Sequence, residues 1–133
     1  MVIFINGRIK NKAKVEAYAR RIMHHFNLLD KKVLVEINIE TKLDDELHGY
    51  CYGDKTFANI HIARKSFGEK LEYEEILKTI AHELVHAKQY LKGELVAHSG
   101  QLWKGKKYGG YLTTPWEKEA YKKEHQLFAK YWK

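Results

Sequence analysis

The chain has 133 residues, of which 44% are hydrophobic and 13% aromatic; this excludes a disordered polypeptide and is long enough to bury a core as one domain, residues 1–133. A single cysteine, Cys51, excludes an internal disulfide framework, and no apolar run approaches the ~18–20 residues of a membrane-spanning helix. With 24 Lys and Arg against 17 Asp and Glu the net charge is +7, which admits weak nucleic-acid binding, although such a surface more commonly means solubility.

Val2 to Ile5 reads as a short strand stopped by the turn dipeptide Asn6-Gly7. Its apolar run is too short for a signal-peptide core, so a cytoplasmic protein with no membrane association is expected. Lys12 to Leu29 carries Val15, Tyr18, Ala19, Ile22, Phe26 and Leu29 at helical spacing, with basic residues on the other side. His24 and His25 are adjacent, diverge on a helix, and read as structural or surface residues. Lys32 to Thr41 alternates, placing Val33, Val35, Ile37 and Ile39 on one face of a half-buried strand. Lys42 to Glu46 is a polar loop. His48 to Tyr52 and Phe57 to Arg64 form a predicted hairpin around Gly53-Asp54-Lys55. In its second strand Phe57, Asn59, His61 and Ala63 share one face, and Ala58, Ile60 and Ile62 the other.

Leu71 to Leu91 is the next predicted helix, with Ile76, Leu77, Ile80, Leu84, Ala87 and Leu91 as its apolar stripe. Glu72, Glu74 and Glu75 suit the positive end of its dipole, and Gly93 stands just past its end. Glu94 to Ala97 is a short extended piece and His98-Ser99-Gly100 a turn. Leu102-Trp103 and Tyr108 to Leu112 suggest a second hairpin around Lys104-Gly105-Lys106. Thr114-Pro115 reads as a Thr cap with Pro at the first helical position, opening a last helix from Trp116 to Trp132. The order predicts an α+β fold in which a small mixed sheet packs against the helices.

The helix from Leu71 carries the chemistry. It contains His82-Glu83-Leu84-Val85-His86, an instance of H-E-x-x-H. Residues four apart share a helix face, so His82 and His86 point the same way, as two ligands of one Zn2+ must. Glu83 is turned by about 100° from His82 and is placed to act as general base on a water rather than as a ligand. A catalytic zinc needs a third protein ligand and one open position. Three residues downstream are candidates: His98 on its turn, and Glu117 and Glu119 at the start of the last helix. Two histidines with a glutamate and three histidines are both workable sets, so chemistry alone leaves the choice open.

The combination of HELVH with Pro115-Trp116-Glu117-Lys118-Glu119-Ala120-Tyr121 resembles the gluzincin pattern, in which a second helix supplies a glutamate. It is similar in particular to the small versions called minigluzincins. Membrane-linked gluzincin peptidases and ImmA-like peptidases carry Glu-x-x-Ala at this point, with the first Glu as ligand. The resemblance implies a small zincin-like metallopeptidase domain, with an N-terminal helix, an H-E-x-x-H helix and a C-terminal glutamate helix against a mixed sheet. It implies zinc held by His82, His86 and Glu117, with Glu83 as catalytic base. The membrane-linked groups carry an Asp after the Ala, where this chain has Tyr121. His98-Ser99-Gly100 also resembles the His-Gly segment of SprT-like proteases, which act on DNA-bound proteins and use a third histidine.

The expected activity is zinc-dependent hydrolysis of peptide bonds by a monomer, with a peptide or protein as substrate. In gluzincin-like folds the strand before the active-site helix pairs with extended substrate, which by position implies Phe57 to Ala63. His61, Tyr108, Tyr111 and Tyr121 are the candidates for stabilising an oxyanion. The alternative is an SprT-like or DNA-associated zinc protein with little proteolytic activity.

Overall fold

The computed structural model describes residues 1–97, 101–108 and 114–133. In chain order its elements are β1 (Val2–Asn6), α1 (Lys12–His25), β2 (Leu34–Glu40), a 3-10 turn at Asp44–Glu46, β3 (Gly49–Gly53), β4 (Phe57–Ala63), β5 (Lys65–Ser66), β6 (Glu69–Lys70), α2 (Tyr73–Leu91), β7 (Leu95–Val96), β8 (Gln101–Trp103), β9 (Lys106–Tyr108) and α3 (Pro115–Tyr131). The fold is α+β with a mixed sheet. No helix among the described residues is long and apolar enough to cross a membrane.

The main sheet has the order β1-β2-β4-β3. β1, β2 and β4 are parallel neighbours, and β3 runs antiparallel to β4. The alternation read from sequence decides which face is buried. Ile3, Val35, Ile37, Ile39, Ala58, Ile60 and Ile62 all turn to the helices and are buried. At ~1.5–3 kcal/mol for each large apolar side chain removed from water, this shared face is a main source of stability. Ala63, the last residue of β4, is buried as well.

The order corrects one expectation. β4 is hydrogen-bonded on both sides, to β2 and to β3, so Phe57–Ala63 has no free edge for a substrate strand. Among the described residues β3 pairs only with β4 and is an edge strand of the sheet.

α1 stops at His25, earlier than the apolar stripe suggests. Asn27 takes a left-handed φ of 60°, its N–H bonds to the His24 carbonyl at 2.9 Å, and the Leu28 N–H bonds to the Met23 carbonyl at 3.0 Å. This is the paired C-terminal closure that Asn or Gly permits. It turns the chain so that Leu28 is buried without being helical. α2 ends the same way at Gly93, with a φ of 73° and Glu94 N–H to Gln89 O at 2.8 Å. Two short hairpins turn on positive-φ pairs, Phe67-Gly68 and Lys104-Gly105, as tight two-residue connections require. The first is absent from the sequence reading. The second starts its return strand at Lys106 rather than Tyr108, because two turn residues suffice where the sequence suggests three.

α2 lies between the sheet and α3, with α1 alongside. Its burial extends around most of its circumference from Ile80 onward. The β7–β9 ribbon caps this end: Leu95 and Trp103 pack with Tyr90 and Trp116 in a small second cluster. Trp116 precedes Glu117, so this cluster fixes the start of α3 over α2. The Thr114 hydroxyl makes no capping bond; the helix start rests on Pro115 and on Lys118 N–H to Thr114 O at 3.0 Å.

Candidate metal centre

His82 and His86 lie one turn apart on α2, their ring centroids 4.9 Å apart. Glu117, in the first turn of α3, reaches both. The Nε2 atoms of His82 and His86 each lie 3.0 Å from the same oxygen, Oε1 of Glu117. One potential ligand atom from each of the three residues lies within 4.8 Å of the others. Tetrahedral ligation at ~2.0–2.1 Å spaces neighbouring ligand atoms by roughly 3.3 Å, so the set is close to zinc-binding dimensions.

The other ring nitrogens decide the protonation states. Nδ1 of His86 faces Oε1 of Gln89 at 2.7 Å. The Gln89 amide is oriented by its own partners, because its Nε2 donates to Trp116 O at 3.0 Å and to Glu119 Oε1 at 2.9 Å. Both of these are acceptors, so the Gln89 oxygen must be the atom facing His86. His86 Nδ1 therefore carries a hydrogen. Nδ1 of His82 lies 3.1 Å from Oε1 of Glu124, again an acceptor, and carries a hydrogen too. With both Nδ1 positions donating, the neutral ring of each histidine has its lone pair on Nε2, aimed at one point beside Glu117. That is the tautomer a cation requires, held by outer partners of the kind that orient metal-binding histidines.

The same packing shifts the acids and bases. Hydrogen bonds from His82 and then His86 hold the Glu117 carboxyl well below the usual carboxylate range. Burial alone would lower both histidines, but hydrogen bonding to Glu117 and the field of Glu83 raise them. A divalent cation bound there would replace the protons that the histidines otherwise share with Glu117. A donor set of two histidines and one glutamate on rigid helices fits Zn2+.

Glu83 takes no part in this cluster and is buried. Burial pushes its carboxyl up to about 7, partly opposed by His86 and His82. Its neighbour across the cleft is β3. A Cβ added at Gly49 would lie 2.8 Å from Thr79 Cγ2 and 3.2 Å from Glu83 Cγ. The absent side chain lets the edge strand approach Glu83. The cleft so formed is about 580 Å3 and takes in Gly49, Cys51, Glu83, Glu117, Tyr121 and Glu124. Glu117 is 39% exposed, so the cluster opens on this side.

The remaining candidates separate clearly. Glu119 is not in the cluster: it binds Lys88, Lys123 and Gln89, and acts on the centre only by orienting Gln89. Burial of its carboxyl is outweighed by those hydrogen bonds, which hold it down at about 2. His61 is displaced to the opposite face of the sheet, stacked on Tyr50 at 4.6 Å and bonded to Glu40, because Ile60 and Ile62 take the helix-facing positions. It cannot serve an oxyanion in the cleft. Tyr121 is in the cleft, its ring 4.7 Å from that of His82. Burial and the carboxylates of Glu117, Glu124 and Glu83 raise its hydroxyl pKa, so it stays a donor. His98, Tyr111 and the Tyr108 side chain lie outside the described residues. His24 and His25 are exposed, and His25 Nδ1 meets the Tyr131 hydroxyl at 2.7 Å.

Two contributors escape the sequence reading, Gln89 and Glu124. Their signal is positional: Gln89 stands three residues after its partner His86 on one face of α2, and Glu124 seven after Glu117 on one face of α3, opposite its partner His82. Glu124 supplies an outer carboxylate to Nδ1 of His82. Comparison of the chain with protein-family models, with curated proteins and with solved structures finds no match.

Proposed function

We propose that this chain is a zincin-like, zinc-dependent peptidase, with His82, His86 and Glu117 as ligands and Glu83 as general base. The observation that carries the reading is the convergence of the two Nε2 atoms on one Glu117 oxygen, with a buried carboxylate one residue from the first ligand. When bound there, zinc supplies Lewis acidity that acidifies a water and polarises a carbonyl.

The chain's own residues do the rest. Glu83 accepts a proton from the attacking water at a carboxylate oxygen and returns it to the departing amine. A carboxyl shifted to about 7 is suited to both steps near neutral pH. The Tyr121 hydroxyl donates a hydrogen bond toward the developing oxyanion. Among the described residues the outer edge of β3 pairs with no other strand, so an extended peptide adds there, beside Glu83, as a further strand. The substrate strand is thus assigned to Gly49–Gly53, in place of Phe57–Ala63. Cys51 sits in this strand with its thiol pushed up by burial, and then by Glu83, which suits lining rather than nucleophilic attack.

The test is cleavage of a peptide library by protein loaded with Zn2+. The reading expects cleavage that a chelator abolishes and added zinc restores, and that Glu83→Gln loses while retaining zinc. Cleavage by Glu83→Gln at the wild-type rate rejects it.

A further inference from the structure

A second hollow lies at the carboxyl ends of the parallel strands. It shares no lining residue with the metal cleft. Gly7 and Arg8 follow β1, Thr41 follows β2, and Arg64 and Lys65 follow β4; all five line it. The crevice beyond the carboxyl ends of parallel strands is a recurrent ligand position, because the loops there splay apart. Its volume of about 800 Å3 falls within the ~300–1,000 Å3 of small-molecule sites.

The lining is chemically one-sided. Arg8, Lys10, Lys12, Arg64, Lys65 and Lys70 contribute six cations, and among the described residues no acidic side chain lines the hollow. Among those residues none of the six makes an ion pair, whereas Arg20, Lys78, Lys88 and Lys123 all do. Arg64 is partly built in: its Nη2 donates to Thr41 Oγ1 at 2.9 Å. Its Nε is buried and has no hydrogen-bond partner among the described residues. α1 and α2 begin at Lys12 and Tyr73, both in the lining, so two helix dipoles add positive potential. Glu74 and Glu75 in the first turn of α2 are outside the lining, and Glu74 pairs with Lys78 at 3.6 Å. The rest of the wall is apolar, formed by Ile9, Leu71, Ile76 and the Tyr73 ring, whose hydroxyl donates to Lys10 O at 2.7 Å.

We propose that this hollow binds the phosphoryl groups of a ligand that also carries an apolar or aromatic body. Mutually repelling cations around one cavity are relieved by a multiply charged anion, and a single carboxylate would neutralise few of them. A guanidinium held by a neighbour offers its remaining N–H groups in the fork that phosphate oxygens match. The apolar wall receives the uncharged part. A free nucleotide and the backbone of a nucleic acid both present this chemistry.

Titration calorimetry of the full chain with inorganic pyrophosphate, a nucleoside triphosphate and a short single-stranded oligonucleotide separates the sources. Pyrophosphate saturating at one per chain, with the triphosphate tighter, identifies a free phosphorylated ligand. An oligonucleotide binding more tightly than the triphosphate, with steep salt dependence, identifies a backbone. In either case Arg64→Lys and the double variant Lys10→Gln with Lys70→Gln weaken binding by about tenfold or more, while zinc content stays that of wild type. Lys10 and Lys70 are exposed, so the double variant keeps the fold if Arg64→Lys does not. Absence of saturable binding by all three probes overturns the proposal, as does unchanged affinity in the double variant.

Discussion

The candidate metal centre and the basic hollow treat charge in opposite ways. Around His82, His86 and Glu117 the outer groups are partnered within the chain: Glu124 for His82, Gln89 for His86, and Glu119 with Trp116 for Gln89. In the hollow six cations stand together with no ion pair among the described residues. The first is preorganised, with its tautomers fixed before a cation arrives. The second carries potential whose natural complement is a ligand. Substitutions in the first should therefore act through geometry, and substitutions in the second through charge and, at Arg64, through the fork of its guanidinium.

The largest effect is expected from Glu83→Gln, which removes a proton carrier but leaves the ligands. Cleavage should fall by ~10²–10⁴-fold, measured as kcat/KM, with zinc still bound. Glu117→Ala removes a ligand and the hydrogen-bond acceptor that raises both histidines; zinc affinity, read by competition with a chromophoric chelator, should fall by more than ~100-fold. Gln89→Leu and Glu124→Leu free the Nδ1 hydrogens and with them the tautomers. Each should cost about 10–100-fold in zinc affinity. Glu124→Gln, which keeps an acceptor, should cost less, and equal losses in the two Glu124 variants would show that geometry does not govern this position. Gly49→Ala forces β3 from α2 at Thr79 and Glu83, and should lower stability by roughly 1–3 kcal/mol in urea melts. Lys70→Gln should be the smallest, within ~0.5 kcal/mol of wild type in stability and without effect on zinc.

Acidity gives a further contrast. His82 and His86 are raised above the ordinary 6.5 when paired with Glu117. Without zinc their contribution to stability is full below pH 6.5 and is lost as pH rises through the raised values. Protons compete with zinc over the same range, so zinc affinity should keep climbing above pH 6.5. Thermal melts in chelator and in zinc should diverge as pH rises; parallel curves would mean that the histidines are not at the metal.

What can be read in the sequence follows the range of the interactions. The HELVH spacing is local, and α2 folds as its periodicity requires. Thr114-Pro115 announces a helix start with Glu117 and Glu119 close behind it, but the helix position alone leaves the two glutamates and His98 as alternatives, and only the resemblance favours Glu117. The edge position of β3 is not, because strand order is set by pairing between β2 and β4 and by the path of α1. The cleft-facing role considered for His61 fails because alternation gives two faces without saying which one the helices cover. The early end of α1 is written in Asn27, whose tolerance of positive φ the apolar stripe conceals. The basic hollow is invisible in the sequence, because its cations come from the turns after β1 and β4, from β6 and from the start of α1, and meet only when the parallel strands align.

The central claim is that His82, His86 and Glu117 hold one zinc ion. Crystals of the zinc-loaded protein, with anomalous diffraction measured on both sides of the zinc edge, test it most directly. One zinc peak per chain is expected, at ~2.0–2.2 Å from Nε2 of both histidines and from a Glu117 carboxylate oxygen. A crystal grown in zinc with no peak there, or with zinc bound elsewhere and the His82–Glu117–His86 contacts intact, would contradict it.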